Sequence, residues 1–216
     1  MCPKKSPARE SQAALTLNLY AFLPRSRVNG PGERAVVWVQ GCSLACPGCW
    51  NSEAASPAPR RLVPVQDVAG WILGQPGLDG VTFSGGEPFE QAGALTELAV
   101  IVRRAGLSVL AFSGYTLEEI KSSGDPHRLA LLSTLDVLID GRFDRRLATR
   151  RLWRSSSNQR VHFLTPRYYA AWADKVQEPV SGWEVAIAED GRVLFTGFPD
   201  PEVEQVIGRL GRLRRP

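Results

Sequence analysis

Three cysteines fall within eight residues, Cys42, Cys46 and Cys49, in the run V-Q-G-C-S-L-A-C-P-G-C-W-N. The preceding Ala35-Val36-Val37-Trp38-Val39 is an unbroken apolar run that reads as a strand, so the triad sits on a loop at a strand end. The C-x3-C-x2-C spacing lets one tight loop present three thiolates to a single metal centre. Three is one short of a full set. A [4Fe-4S] cluster held this way keeps one iron free of protein ligands, and that iron can bind a substrate or cofactor. A structural zinc site is the alternative, but such sites close with four ligands, commonly as two pairs. The other ligand types are distant: Cys2 in a polar N-terminal stretch, His127 and His162 far down the chain. Both histidines read as structural.

Hydrophobic periodicity predicts strands over residues 15–23, 35–39, 80–84, 107–112, 137–140 and 161–164. Helices are predicted over 64–73, 90–105, 116–121 and 129–132, the third opened by Thr116 as N-cap with Glu119 three residues on. Strands alternating with helices imply parallel pairing through right-handed crossovers, hence an α/β fold. Four or five βα units are too few for a closed eight-stranded barrel. Residues 1–12 are polar and aperiodic and predict a disordered tail. Residues 13–166 form the expected core. Residues 167–216 form a small C-terminal appendage. In it, strands over 183–187 and 193–195 flank Glu189-Asp190-Gly191 as a hairpin, and a helix over 201–213 follows.

A chain of 216 residues, 44% apolar and 22% charged, suits one soluble domain with an appendage. No apolar run is long enough to span a bilayer, so no membrane is expected. The basic stretch Met1 to Ser6 lacks the apolar segment of a signal peptide. Four cysteines, three of them clustered, do not resemble a secreted disulfide framework; a reducing cytoplasm is expected. The net charge of +4 is concentrated around residues 142–160 and 209–215, without the aromatic-interleaved pattern of a nucleic-acid binder.

A second motif follows the strand Val81-Thr82-Phe83-Ser84: Gly85-Gly86-Glu87-Pro88. With C-x3-C-x2-C after one core strand and Gly-Gly-Glu-Pro after the next, the chain resembles the radical S-adenosylmethionine (radical SAM) superfamily over roughly residues 34–165. That resemblance implies an open partial (β/α) barrel with chemistry at the carboxyl ends of the strands. It implies a [4Fe-4S] cluster on Cys42, Cys46 and Cys49, and S-adenosyl-L-methionine as cofactor. No catalytic residue is assigned beyond the cluster. Gly85 and Gly86 let backbone approach the ligand. Glu87 can offset the cationic methionine amino group, and Pro88 suits a helix start. Ser113 and Asp140, at the next two strand ends, are the expected partners of the adenosyl ribose, though capping and turn roles suit both equally. One departure is Gly48, where many members of the superfamily carry an aromatic residue.

Four passages refine the resemblance: Cys46-Pro47-Gly48-Cys49-Trp50-Asn51, Ser113-Gly114-Tyr115-Thr116-Leu117-Glu118-Glu119, Asp136 to Phe143, and Arg154 to Arg160. They are similar to the activating proteins of anaerobic ribonucleotide reductase. Ser155 departs by standing where that family usually has glycine. The resemblance implies an activase that makes a glycyl radical on a large partner enzyme, fed by a low-potential donor such as flavodoxin or ferredoxin. Two alternatives stay open. One is a small-molecule radical SAM enzyme, for example of the 7-deazaguanine type, with a pocket built from Tyr168, Tyr169 and Trp172. The other is a non-catalytic iron-sulfur or zinc protein.

Overall fold

The fold is built on strands whose side chains are covered on both faces. In the computed structural model, which describes residues 15–179, 182–187, 193–198 and 202–203, every residue from Arg34 to Val39 is buried. A strand buried on both faces reads as a continuous apolar run rather than an alternation. The predicted tail over 1–12 and nearly all of the predicted helix over 201–213 lie outside the described residues.

The chain opens with β1 (Thr16–Ser26), β2 (Arg34–Val39) and the short β3 (Leu62–Pro64). Helix α1 (Val65–Leu73) leads to β4 (Gly80–Gly85), and α2 (Ala92–Arg104) leads to β5 (Ser108–Phe112). Helices α3 (Leu117–Ser122) and α4 (Pro126–Thr134) precede β6 (Val137–Asp140) and β7 (Arg160–Phe163). A final pair, β8 (Gly182–Ile187) and β9 (Val193–Phe198), forms its own antiparallel sheet. The other seven strands form one sheet in the order β3-β1-β2-β4-β5-β6-β7. Strands β2, β4, β5 and β6 run parallel, while β1, β3 and β7 are antiparallel to their neighbours. The expected α/β class is observed. Of the main-sheet strands, only β3 was not anticipated.

The two faces of the sheet are covered differently. One set of alternating residues, including Val37, Val39, Phe83, Val109 and Leu138, packs against Ile72 of α1, Leu95 and Leu98 of α2, Ile120 of α3 and Leu131 of α4. Thr116 caps α3 as predicted, in a full capping box with Glu119. The opposite set, Leu110, Val137 and Ile139, meets Trp153, Val176 and Phe198 from the chain after β6. Arg34 lies on this second face and is fully buried. Its guanidinium donates to Thr82 Oγ1 (2.8 Å), Ser108 Oγ (2.8 Å) and the Val81 carbonyl (2.6 Å), and burial lowers it to about 10. Among the described residues no helix is long and apolar enough to cross a membrane.

Candidate active site

The end of β2 delivers Gly41 and the cysteine loop to the edge of a cleft. The loop is held by its backbone. Gly41 N donates to Ala54 O (2.7 Å), Cys42 N to Ala55 O (3.0 Å) and Cys49 N to Cys46 O (3.1 Å). Ser43 donates from both its N and its hydroxyl to Glu90 Oε1. The loop is also locked to the end of β4, since Gly86 N donates to Val39 O and Glu87 N to Gly41 O, both at 2.8 Å. Glycine at position 86 is a packing requirement, because a Cβ there would lie 2.0 Å from Gly41 O. Gly85 takes a φ of +103°, which other residues rarely adopt.

Cys42, Cys46 and Cys49 are free, partly exposed, and all line the cleft. Burial pushes the Cys42 thiol up to about 11, with Glu87, Glu90 and Cys49 adding to the effect. Burial raises Cys49 as well. Ionising these thiols needs a positive charge at the site, which iron supplies. Among the described residues no three His, Cys, Asp or Glu side chains converge as ligands of one metal ion. A cluster takes its thiolates at separate irons. Three free sulfurs from one loop that opens on a cavity fit the donor set of a [4Fe-4S] cluster.

That cavity holds about 180 Å³, more than ten times the roughly 10–15 Å³ that one water needs. It brings the cysteines together with Ser84, Gly85, Gly86 and Glu87 from the end of β4, Ser113 and Gly114 from the end of β5, and Gly141 after β6. The end of the sheet expected to carry the chemistry does line the cavity.

Glu87 is the hub of this wall. It is 1% exposed. Its Oε1 accepts from Phe89 N (3.0 Å) and Ser113 Oγ (2.9 Å), and its Oε2 accepts from Gly114 N (2.8 Å). Burial lifts its carboxyl to about 7 against the pull of those donors. Glu87 thus ties the β4 and β5 strand ends together as well as facing the cleft. Ser113 is engaged on both sides, donating to Glu87 and accepting from Tyr115 N (3.0 Å). Pro88 is buried and opens a 3-10 turn over Pro88–Gln91 ahead of α2.

Asp140 does not line the cleft. It is fully buried and accepts from Leu117 N (2.6 Å) and from Arg160 Nη2 (2.9 Å), and His162 Nε2 lies 2.9 Å from its Oδ2. Burial works to raise its carboxyl, but His162, Arg160 and the Leu117 N–H prevail and hold it at about 2. These contacts fasten β6, β7 and the start of α3 to one another, with His162 lying beside the carboxylate. Tyr168, Tyr169 and Trp172 also lie away from the cleft. Tyr168 Oη is 2.8 Å from Ser108 Oγ, Tyr169 sits edge-on to Phe163, and Trp172 packs on Trp153.

Several lining residues carried no signal of their own: Asn29, Trp38, Phe112 and Phe195 to Phe198. Gln159 had one, in the passage from Arg154 to Arg160. It accepts from Ser155 N and Ser156 N and donates to Gly141 O, shaping the loop beside the cavity.

Comparison with known proteins agrees with this geometry. Residues 28–162 match the family described as a 4Fe-4S single cluster domain. The anaerobic ribonucleoside-triphosphate reductase-activating protein of Enterobacteria phage T4 is 32% identical over 151 residues, covering 67% of this chain and 93% of that protein. The protein of the same name from Escherichia coli strain K12 is 30% identical over 160 residues, 68% of this chain and 99% of its own. That of Vibrio cholerae serotype O1 is 33% identical over 159 residues, 69% and 99%. Among solved structures, QueE from Escherichia coli is similar at a TM-score of 0.38 and 15% identity, over 47% of this chain and 53% of that one, too distant to bear on the fold. The chain belongs to the anaerobic ribonucleoside-triphosphate reductase-activating protein family and carries its 4Fe-4S single cluster domain.

Proposed function

We propose that this protein is a radical SAM activase that generates a glycyl radical on an anaerobic ribonucleoside-triphosphate reductase. The observation that carries the reading is the meeting of three free cysteines with the Gly85-Gly86-Glu87 strand end on one cleft. Cys42, Cys46 and Cys49 would hold a [4Fe-4S] cluster. Gly85, Gly86, Glu87 and Pro88 would shape the S-adenosyl-L-methionine site, with Ser113 held beside them. When bound, these cofactors supply one-electron cleavage of the sulfonium C–S bond, giving methionine and a 5'-deoxyadenosyl radical that takes a hydrogen atom from the partner's glycine. The protein's own part is positional. Gly86 lets the two motif loops close on each other. Glu87 fixes the turn at Ser113-Gly114 and keeps an acceptor at the cleft wall.

Parallel strands with helices on one face and the cleft at their carboxyl ends support an open partial (β/α) barrel over residues 13–166, with 167–216 as an appendage. A low-potential donor such as flavodoxin or ferredoxin would supply the electron, in a reducing cytoplasm that spares the cluster. Tyr168, Tyr169 and Trp172 lie away from this cavity, so they do not supply the pocket that the small-molecule reading drew from them.

Anaerobic reconstitution with iron and sulfide, then reduction with S-adenosyl-L-methionine, should yield 5'-deoxyadenosine, and Cys46→Ala should abolish it. Adding the reductase of the same organism should give a glycyl radical signal by electron paramagnetic resonance. Production of 5'-deoxyadenosine without that signal, with a competent reductase present, would remove the activase assignment.

A further inference from the structure

The basic stretch from Arg142 to Arg160 takes no part in holding the cluster or the cofactor. It carries seven arginines against one acidic residue, Asp144. Four of the seven are matched within the fold. Arg142 pairs with Glu119, Arg146 with Asp144, and Arg160 with Glu118 and Asp140, while Arg154 is buried and donates to the Val176 carbonyl. Among the described residues no carboxylate meets Arg145, Arg150 or Arg151, and all three are exposed. The stretches outside the described residues at the two chain ends are themselves net basic in sequence, three cations to one acid over 1–14 and four to one over 204–216. Neither end carries the charge to neutralise this surface.

Arg145 lies against the cysteine loop. A Cβ on Gly48 would come 3.3 Å from its Nε and 3.5 Å from its Cζ, so the guanidinium rests beside the residue that precedes Cys49. Gly48 has a φ of +75°, and a side chain there would be both strained and crowded by the guanidinium. Glycine at 48, the departure from the superfamily's usual aromatic residue, thus leaves the space that this cation fills. The same loop turns an exposed side to solvent through Ser43, Ala45, Pro47 and Gly48, while its three cysteines line the cavity.

Under the activase reading the cavity takes S-adenosyl-L-methionine and the partner's glycine. The electron that reduces the cluster then has the exposed side of the loop as its way in. Resting on that reading, we propose that Arg145, Arg150 and Arg151 form the docking surface for an acidic one-electron donor protein, which they bring onto the cysteine loop at Gly48. The donor gives up one electron, the [4Fe-4S] cluster takes it up, and no proton or group is transferred. Electron-transfer encounters bury little surface. Charge complementarity suits them, because it raises the rate of encounter more than the strength of the complex.

The test is anaerobic stopped-flow reduction of the full, cluster-loaded chain by reduced flavodoxin and by reduced ferredoxin, with photoreduced 5-deazariboflavin as a small uncharged control. At low ionic strength Arg145→Gln combined with Arg150→Gln should slow reduction by the two proteins about tenfold, and added salt should bring the unsubstituted chain down toward the variant. Arg145→Lys, which keeps the charge, should retain most of the rate. Reduction by the deazaflavin should be the same in all three, which shows the cluster and its loop intact. Equal rates with the protein donors at every salt concentration would overturn the docking surface and leave the activase reading standing. So would equal rates in a double variant that needs more reductase to give its glycyl radical signal, since the arginines would then face the reductase. A cluster that none of the three reductants reduces would overturn the activase reading, and the docking surface with it.

Discussion

Replacing Asp140 with asparagine keeps the shape of the side chain and removes its charge. Asp140 is fully buried, against Arg160 and His162 of β7 and the first N–H of α3. In the folded protein its carboxyl is held at about 2, against roughly 3.9 in an unfolded chain. That gap corresponds to about 2.5 kcal/mol. Arg160 is 46% exposed, so solvent screening trims the expected loss to about 2 kcal/mol. The sign follows from a depressed carboxyl. Its contribution is complete above about pH 4 and is lost as pH falls toward about 2. Asp140→Asn should therefore cost the same at pH 5 and pH 7, and less at pH 3. For a chain of 216 residues this is a drop of about 4–8 °C in Tm. Urea titration under nitrogen, followed by the fluorescence of the six tryptophans, measures it. A loss below about 0.5 kcal/mol at pH 7 would refute the fastening role. A variant that keeps its stability but loses affinity for S-adenosyl-L-methionine would restore Asp140 as a ribose contact.

Gly86→Ala places a methyl 2.0 Å from Gly41 O and must push the two motif loops apart. It should cost about 3 kcal/mol and lower the iron and sulfide retained per chain after reconstitution. Glu87→Gln puts an amide N–H against one of the N–H or O–H donors of Phe89, Ser113 and Gly114. A loss of about 1–3 kcal/mol is expected, with weaker S-adenosyl-L-methionine binding by equilibrium dialysis. Thr116→Ala removes half of the α3 capping box and should cost about 1 kcal/mol by thermal denaturation, with Thr116→Ser restoring most of it.

The strand ends that carry the site could be read from sequence because β2 is an apolar run that stops at the cysteine motif, and the Val81-Thr82-Phe83-Ser84 alternation of β4 runs straight into Gly85-Gly86-Glu87-Pro88. The capping box at Thr116 was readable because it is local. Strand β3 was not, since its three residues follow a proline-rich loop and are defined by pairing with Thr16, Leu17 and Asn18 of β1. The role of Asp140 was hidden for the same reason. Asp-Gly reads as a turn, and the partners that hold Asp140 come from β7 through a register that only the folded sheet sets. The hairpin was visible as a hairpin, but its place was not: Asn29 and Thr196 are 167 residues apart.

The separation of the two faces of the sheet has a consequence for the order of assembly. A chain leaves the ribosome amino end first, and domains form as their elements become available. The four parallel strands and the helices that cover one face are complete once Asp140 has emerged, with the cysteine loop already among them. Strand β9, one wall of the cleft, starts only at Val193. During translation there is thus an interval in which the thiols are framed by their sheet and still open on that side. Iron and sulfide delivered then would meet the least obstruction, and docking of the hairpin would close over a site already loaded.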